Sequence, residues 1–339
     1  MTVVTKYEDG LCLSLLGNLF HAWHRVGRLD DTTYFLQVVG CDSTWRCKQH
    51  QQQQHSQHQS SQHRESNMTS NEKIGIVGSG FIGRSWAMLF ASVGYDVCMY
   101  DVQEKQVSDA LQEIHRQLTN LETTGLLKGK LTAAEQKKCI RGVTSLKECV
   151  QGAKHVQESV FEDLEVKKKV LTEIDQLVGP ETVVASSSSC IPPSKLSADL
   201  AHKANVILAH PYNPPYYVPA VEVVPAPWTS QDVVARTRAI LTEIGQVPVV
   251  LTREHPGFAS CRIQYAILNE CVNLVKSGVI SVQDVEALMK HGLGYRYAWM
   301  GPLETAVLNA NGSDWPTPQK EQDLGFLCGW DASESPCQI

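Results

Sequence analysis

No stretch of this 339-residue sequence holds the roughly 20 consecutive apolar residues of a bilayer-crossing helix, so no membrane span is expected. No block of Lys or Arg stands out, and 30 Lys plus Arg stand against 36 Asp plus Glu. The electrostatic footprint of a nucleic-acid binder is therefore missing, and no nucleic-acid partner is expected. There is no Cys-x-x-Cys pair among the eleven cysteines, whose number is odd and whose spacing is irregular, which fits free thiols in a reducing compartment. The opening ten residues lack the basic lead of a secretory leader, since Glu8 and Asp9 stand directly before the apolar stretch 11–20; a cytoplasmic location is expected. What is present, 42 % hydrophobic and 19 % charged residues over a length suited to about two domains, reads as a globular chain acting on a small molecule.

Residues 1–70 differ in texture from the rest. The run His50-Gln51-Gln52-Gln53-Gln54-His55-Ser56-Gln57-His58-Gln59 lacks the apolar side chains that repay chain ordering, so this part is expected to be disordered. Its histidines at 50, 55, 58 and 63 have no Cys or carboxylate partners at ligand spacing, and no metal site is assigned to them. Met68 precedes the first predicted strand, which marks residues 1–67 as a leader the folded unit does not need. From Lys73 onward, short apolar strands alternate with longer amphipathic segments, the pattern of a parallel sheet covered by helices. Strands are predicted near 73–77, 96–100, 155–158, 182–186, 206–209, 221–224 and 247–251. Helices are predicted near 83–93, 103–124, 162–177, 193–198 and 232–244, then 259–277 and 282–291. The expected organisation is an α/β Rossmann-type parallel sheet domain over 72–252, a shortened all-α domain over 253–312, and an atypical tail over 313–339 without clear period.

Ile74-Gly75-Ile76-Val77 reads as a buried strand, followed directly by Gly78-Ser79-Gly80-Phe81-Ile82-Gly83 and a helical segment. In such a loop Gly78 permits the tight turn, Gly80 lets backbone approach a pyrophosphate, and Gly83 lets the helix pack on the strand. The next predicted strand ends in Asp101, placed to accept hydrogen bonds from ribose hydroxyls and to repel a 2′-phosphate, which favours NAD over NADP.

Two further strand ends carry chemistry. Leu208-Ala209-His210-Pro211 places a histidine where open α/β sheets bind ligands, and Glu222 interrupts the apolar run Ala220-Val221-Glu222-Val223-Val224. A buried carboxylate needs a partner, and a His-Glu pair supplies one: Glu222 would bond one imidazole nitrogen and leave the other to take a proton from an alcohol. Val183 to Ser186 runs into Ser187-Ser188-Ser189-Cys190, small donors suited to a substrate hydroxyl, although a serine run also serves as an ordinary turn.

Together these segments resemble the 3-hydroxyacyl-CoA dehydrogenase superfamily over 73–311, most closely its lambda-crystallin branch. The marks are the glycine loop continuing through Arg84-Ser85-Trp86-Ala87-Met88-Leu89-Phe90, the serine loop, Ala209-His210-Pro211-Tyr212-Asn213-Pro214-Pro215-Tyr216-Tyr217, Gly292-Leu293-Gly294-Tyr295-Arg296-Tyr297 and Gly301-Pro302-Leu303-Glu304-Thr305. The resemblance implies NAD-dependent oxidation of a 3-hydroxy acid to the 3-keto acid, foremost L-gulonate to 3-dehydro-L-gulonate. It implies His210 as general base oriented by Glu222, with Ser189 bonding the reacting hydroxyl. It further implies that Phe81, Ile82 and Asp101 touch NAD, with Glu162 and Lys167 near the nicotinamide ribose, although unaided these two read as an exposed helical face. Arg296 is a candidate partner for a substrate carboxylate, with packing against Tyr as its plainer role.

Two departures from that pattern matter. The family's Pro-Gly-Phe is followed three residues later by Asn, which helps polarise the reacting carbonyl, whereas here Pro256-Gly257-Phe258 leads to Cys261, a poor substitute for an amide donor. Family members also continue the helical domain past the position of Asn311, and that domain closes the cleft and builds a homodimer. The alternative activities are therefore 3-hydroxyacyl-CoA dehydrogenation by the same residues, or a crystallin-like NAD(H)-binding protein with weakened catalysis.

Overall fold

The computed structural model describes residues 72–309. The expected disordered leader with its histidine tract and the atypical tail over 313–339 lie outside the described residues. The first half of the fold runs β1 (Lys73–Val77), α1 (Phe81–Ala91), β2 (Asp96–Tyr100), α2 (Glu104–Thr123), α3 (Ala133–Lys138), β3 (Ile140–Gly142), α4 (Leu146–Val150), β4 (His155–Glu158) and α5 (Leu164–Asp175). It continues with β5 (Val183–Ser186), α6 (Pro193–Ser197), β6 (Val206–Pro211), β7 (Ala220–Pro225), α7 (Gln231–Glu243) and β8 (Val247–Val250). Beyond the sheet come α8 (Ser260–Lys276), α9 (Val282–Leu288), a π-helical turn Met289–Leu293, α10 (Gly294–Tyr297) and α11 (Pro302–Asn309).

The strands form one sheet in the order β3-β2-β1-β4-β5-β6-β7-β8. Its central strands are buried on both faces, which explains why they read as nearly continuous apolar runs. Ile74, Ile76, Met99, Ala185, Ile207 and Ala209 pack with Trp86 and Phe90 of α1, Ile114 and Leu118 of α2, and Leu241 of α7. Cys98, Val156, Val184 and Val206 pack on the other side with Cys149 of α4 and Leu171 and Ile174 of α5.

The sheet is mostly parallel, with one reversal that the predicted parallel sheet did not include. β7 runs antiparallel to β6, and β8 is parallel to β7. The reason lies in chain length: residues 212–219 join β6 to β7, fewer than the dozen or more that a parallel crossover requires. The short elements α3, β3 and α4 were also not predicted. Three to six residues give a periodicity argument too little to work on, and β3 is an edge strand with Arg141 and Gly142 exposed. The helix predicted over 282–291 ends at Leu288 and gives way to the π-helical turn.

Order reverses at β1: the chain first moves outward through β2 and β3, then returns to β4 on the other side. In open α/β sheets such a switch point opens a crevice at the carboxyl ends of the strands. The glycine loop after β1, Asp101 after β2, the serine loop after β5 and His210 near the end of β6 all belong to that edge. The reversal of β7 brings Glu222 there too, because its third residue pairs with the fifth of β6.

Candidate active site

The loop after β1 is shaped by backbone contacts that exclude side chains. Gly78 has φ of 103°, and a Cβ there would lie 2.5 Å from the Ser159 carbonyl oxygen; a Cβ on Gly83 would lie 1.9 Å from the Gly78 carbonyl oxygen. Beyond Gly80, by contrast, a Cβ would meet nothing within 4 Å. Gly80 is also the N-cap of α1, which has no side-chain cap and no acid in its first turn. Asp163 caps α5 and Ser230 caps α7, whereas no side chain caps α1, and a helix N-terminus of that kind suits an anion. Asp101 holds the loop from the end of β2: Oδ2 accepts from the Ser79 N–H and hydroxyl, both at 2.9 Å, while Oδ1 has only a 3.3 Å contact with the Gln103 N–H. Phe81 and Ile82 are half-buried at the start of α1. A helix N-terminus without a side-chain cap, open space beyond Gly80 and a carboxylate with a spare oxygen fit a dinucleotide.

His210 and Glu222 are direct cross-strand partners, and His210 Nδ1 lies 2.9 Å from Glu222 Oε2. Glu222 is 2 % exposed and its remaining acceptor capacity is filled from the start of α8. Oε1 accepts from the backbone N–H groups of Ala259 and Ser260 at 2.9 and 2.8 Å, and Oε2 also accepts from the Ser260 hydroxyl. The carboxylate thus serves as the missing cap of α8, which has none of its own. Phe258, at φ of 49°, turns the chain into this position and packs with Leu208 and Val224. The rings of Tyr212 and Phe258 flank the imidazole, with centroids at 6.2 and 6.1 Å. Burial opposes the charge on Glu222, but the bonds from His210 and Ser260 outweigh it and hold the carboxyl below its ordinary value.

That direction carries a consequence for stability. A carboxyl with a lowered folded pKa contributes stability that is fully present above its unfolded value of 4.5 and is lost as the pH falls through the lower folded value. The wild type is therefore expected to lose stability on the acid side, and Glu222→Gln to lie below it at pH 7 with the gap closing in acid. Urea-unfolding midpoints across the pH range measure this; a gap that stays constant counts against the ionised Glu222.

The serine loop is organised by Glu162. Its Oε1 accepts from the Ser188 hydroxyl at 2.5 Å and the Ser189 N–H at 2.9 Å, with the Ser189 hydroxyl and the Cys190 N–H at 3.4 Å. Its Oε2 lies 3.3 Å from Lys167 Nζ. Lys167 is not on an exposed helical face: it is 1 % exposed, and its ammonium also reaches Glu158 Oε1 at 2.8 Å and the Val160 carbonyl at 3.2 Å. Burial opposes the charge of both partners, yet Lys167 draws the Glu162 carboxyl below its ordinary value, and Glu158, with Glu162 after it, raises the Lys167 ammonium. Ser187 accepts from the Trp86 indole at 3.1 Å and from the Gln157 amide at 2.7 Å.

Cys261, on the first turn of α8, faces this loop, with Sγ 3.7 Å from the Ser189 carbonyl oxygen. Arg296 is not brought to the cluster: it is exposed on α10, with its guanidinium 6.0 Å from the Tyr297 ring centroid. Glu158, Ser260 and Tyr212 were missed by sequence reasoning. Only Glu158 carried a signal, as an acid closing a buried strand.

The chain matches the family model described as 3-hydroxyacyl-CoA dehydrogenase, NAD binding domain, over residues 73–255, and that of the C-terminal domain of the same family over residues 257–317. It is 51 % identical over 239 residues to the lambda-crystallin homolog of Bos taurus, covering 70 % of this chain and 74 % of that one. To the L-carnitine dehydrogenase of Oceanobacillus iheyensis it is 32 % identical over 234 residues, covering 69 % and 75 %. Among solved structures, a 5-formyl-3-hydroxy-2-methylpyridine 4-carboxylic acid 5-dehydrogenase, described as an NAD+ dependent dismutase, is similar with a TM-score of 0.62. That match has 31 % identity and covers 75 % of this chain and 86 % of the other.

Proposed function

Because the chain belongs to the 3-hydroxyacyl-CoA dehydrogenase family, we propose that it oxidises L-gulonate to 3-dehydro-L-gulonate, with His210 as the general base. Its cofactor is NAD, which supplies the hydride acceptor when bound. In this reading residues 72–252 hold NAD through the loop Gly78 to Gly83, Phe81, Ile82 and Asp101, and residues 253–312 form the substrate and dimerisation region.

The observation that carries the reading is the bond between His210 Nδ1 and Glu222. It commits Nδ1 to the carboxylate and leaves Nε2 to take the proton of a substrate hydroxyl. The imidazolium so formed would face a carboxylate already held ionised by Ala259 and Ser260. The Ser189 hydroxyl meets Glu162 at a long 3.4 Å and can turn to a substrate oxygen. Among the described residues, the thiols of Cys98, Cys139, Cys149 and Cys271, in no disulfide, support a cytoplasmic location.

A second reading, an NAD(H)-binding protein with weak catalysis as in lens crystallins, is favoured by Cys261 and by the likeness to lambda-crystallin homologs. The test is NADH formation by the full chain with L-gulonate beside a 3-hydroxyacyl-CoA. Turnover of L-gulonate is expected. Turnover of the thioester alone would replace the substrate assignment, and NADH binding without oxidation of either would favour the crystallin-like role.

A further inference from the structure

Side chains hold the loop that presents Ser189, and those that hold Ser186, Ser188 and Ser189 lead back to one buried carboxylate. Glu158 closes β4 at 0 % exposure. Its Oε1 accepts from Lys167 at 2.8 Å and from the Val160 N–H at 2.7 Å, and its Oε2 accepts from the Ser186 hydroxyl at 2.6 Å. Ser186 is the last residue of β5 and leads directly into the serine loop. Glu158 therefore grips the loop twice, once at its base through Ser186 and once through Lys167, which in turn holds Glu162 and with it Ser188 and Ser189.

The Lys167 ammonium has three hydrogens, and three protein acceptors stand around it: Glu158, Val160 and Glu162. The Lys167 ammonium thus ties Glu158 to Glu162, the member of the network whose side chain is 31 % exposed. Such a network is a poor device for stability alone. Desolvating two charges costs several kcal/mol per ion, and an apolar pair of the same volume often does as well or better. What an ionic tripod supplies, and an apolar pair does not, is a fixed direction for each oxygen.

We propose that Glu158 is a positioning residue for the dehydrogenase reaction: acting through Ser186, Lys167 and Glu162, it sets the place from which Ser189 meets the substrate. This rests on the reading of Ser189 as the residue that bonds the reacting hydroxyl.

The experiment compares the full-length wild type with Glu158→Gln, Lys167→Met and Ser189→Ala by amide hydrogen exchange and by steady-state kinetics. Glu158→Gln keeps the shape and one acceptor while removing the charge. It is expected to speed exchange at the Ser189 and Cys190 amides by about 10-fold or more, while Val184 and Ala185 within β5 stay protected. It is also expected to lower kcat by about 10- to 100-fold, as a small misplacement of a reacting group does, with the KM for the hydroxy acid little changed. A merely structural role would lower the melting temperature and raise exchange across β4 and β5 alike, without separating kcat from KM.

Unchanged exchange at Ser189 and Cys190 in folded Glu158→Gln overturns the proposal, and so does faster exchange with kcat intact. Where Lys167→Met fails to fold, Glu158→Gln decides. Ser189→Ala separates the two layers of the argument. Full activity in that variant defeats the reading of Ser189, whereas lost activity there beside an unaffected Glu158→Gln defeats only the positioning role.

Discussion

Replacing His210 by alanine is expected to lower kcat for hydroxy-acid oxidation by about 100- to 10,000-fold, the range a positioned general base contributes. NADH affinity should change little, because His210 lies near the end of β6 while the glycine loop follows β1. The fold should also survive. Without the imidazole, Glu222 still accepts from the Ala259 and Ser260 N–H groups and from the Ser260 hydroxyl, so no unpaired buried charge is created. Removing Glu222 instead would strip α8 of its cap and leave His210 without its orienting partner. Kinetics together with an NADH fluorescence titration measure both halves of the prediction for His210→Ala; full activity in the folded variant would remove His210 from the role of base.

The second large effect is expected in the opposite direction. Cys261 occupies the place where the family's pattern has Asn, and its sulfur lies 3.7 Å from the Ser189 carbonyl oxygen. A thiol is a weak donor, whereas a carboxamide offers two strong N–H donors from a side chain of only slightly greater reach. Loss of one such donor elsewhere slows turnover by about 100- to 1,000-fold, so Cys261→Asn should recover up to that factor. The site has room for the change without a repacked core, since Cys261 is only half-buried. Unchanged or lower turnover in a folded, NAD-binding Cys261→Asn variant rejects the idea that this position limits the rate.

The two variants also bear on each other. If His210→Ala abolishes activity and Cys261→Asn raises it, base and polarising donor act on one substrate. If Cys261→Asn has no effect while His210→Ala still does, the base chemistry stands and the polarising donor comes from elsewhere.

How far each of these features could be read beforehand differed by residue. The glycine loop was legible because its requirements are local: Gly78 and Gly83 answer to a turn and a helix packing within a few residues of themselves. Asp101 was legible because it ends the adjacent strand. Lys167 was not: on sequence it sits in a helix of lysines and glutamates, Leu164–Asp175, and only the fold buries it and sets Glu158 and Glu162 around its ammonium. Arg296 shows the converse, since a suggestive run of Gly, Tyr and Arg places its charge in solvent beside Tyr297.

By itself, the sequence determined the alternation of buried strands and amphipathic helices, the dinucleotide loop with its acid, and the residue types able to move a proton. These depend on periods of about two and 3.6 residues and on backbone contacts over short spans. The tertiary structure alone decided that β7 runs back against β6, that His210 therefore faces Glu222, and that the same carboxylate caps α8. It likewise decided that Glu158, Lys167 and Glu162 meet beneath the serine loop. Each of those pairings joins residues from different elements, and their charges are tolerated inside only because the fold delivers a partner to every one of them.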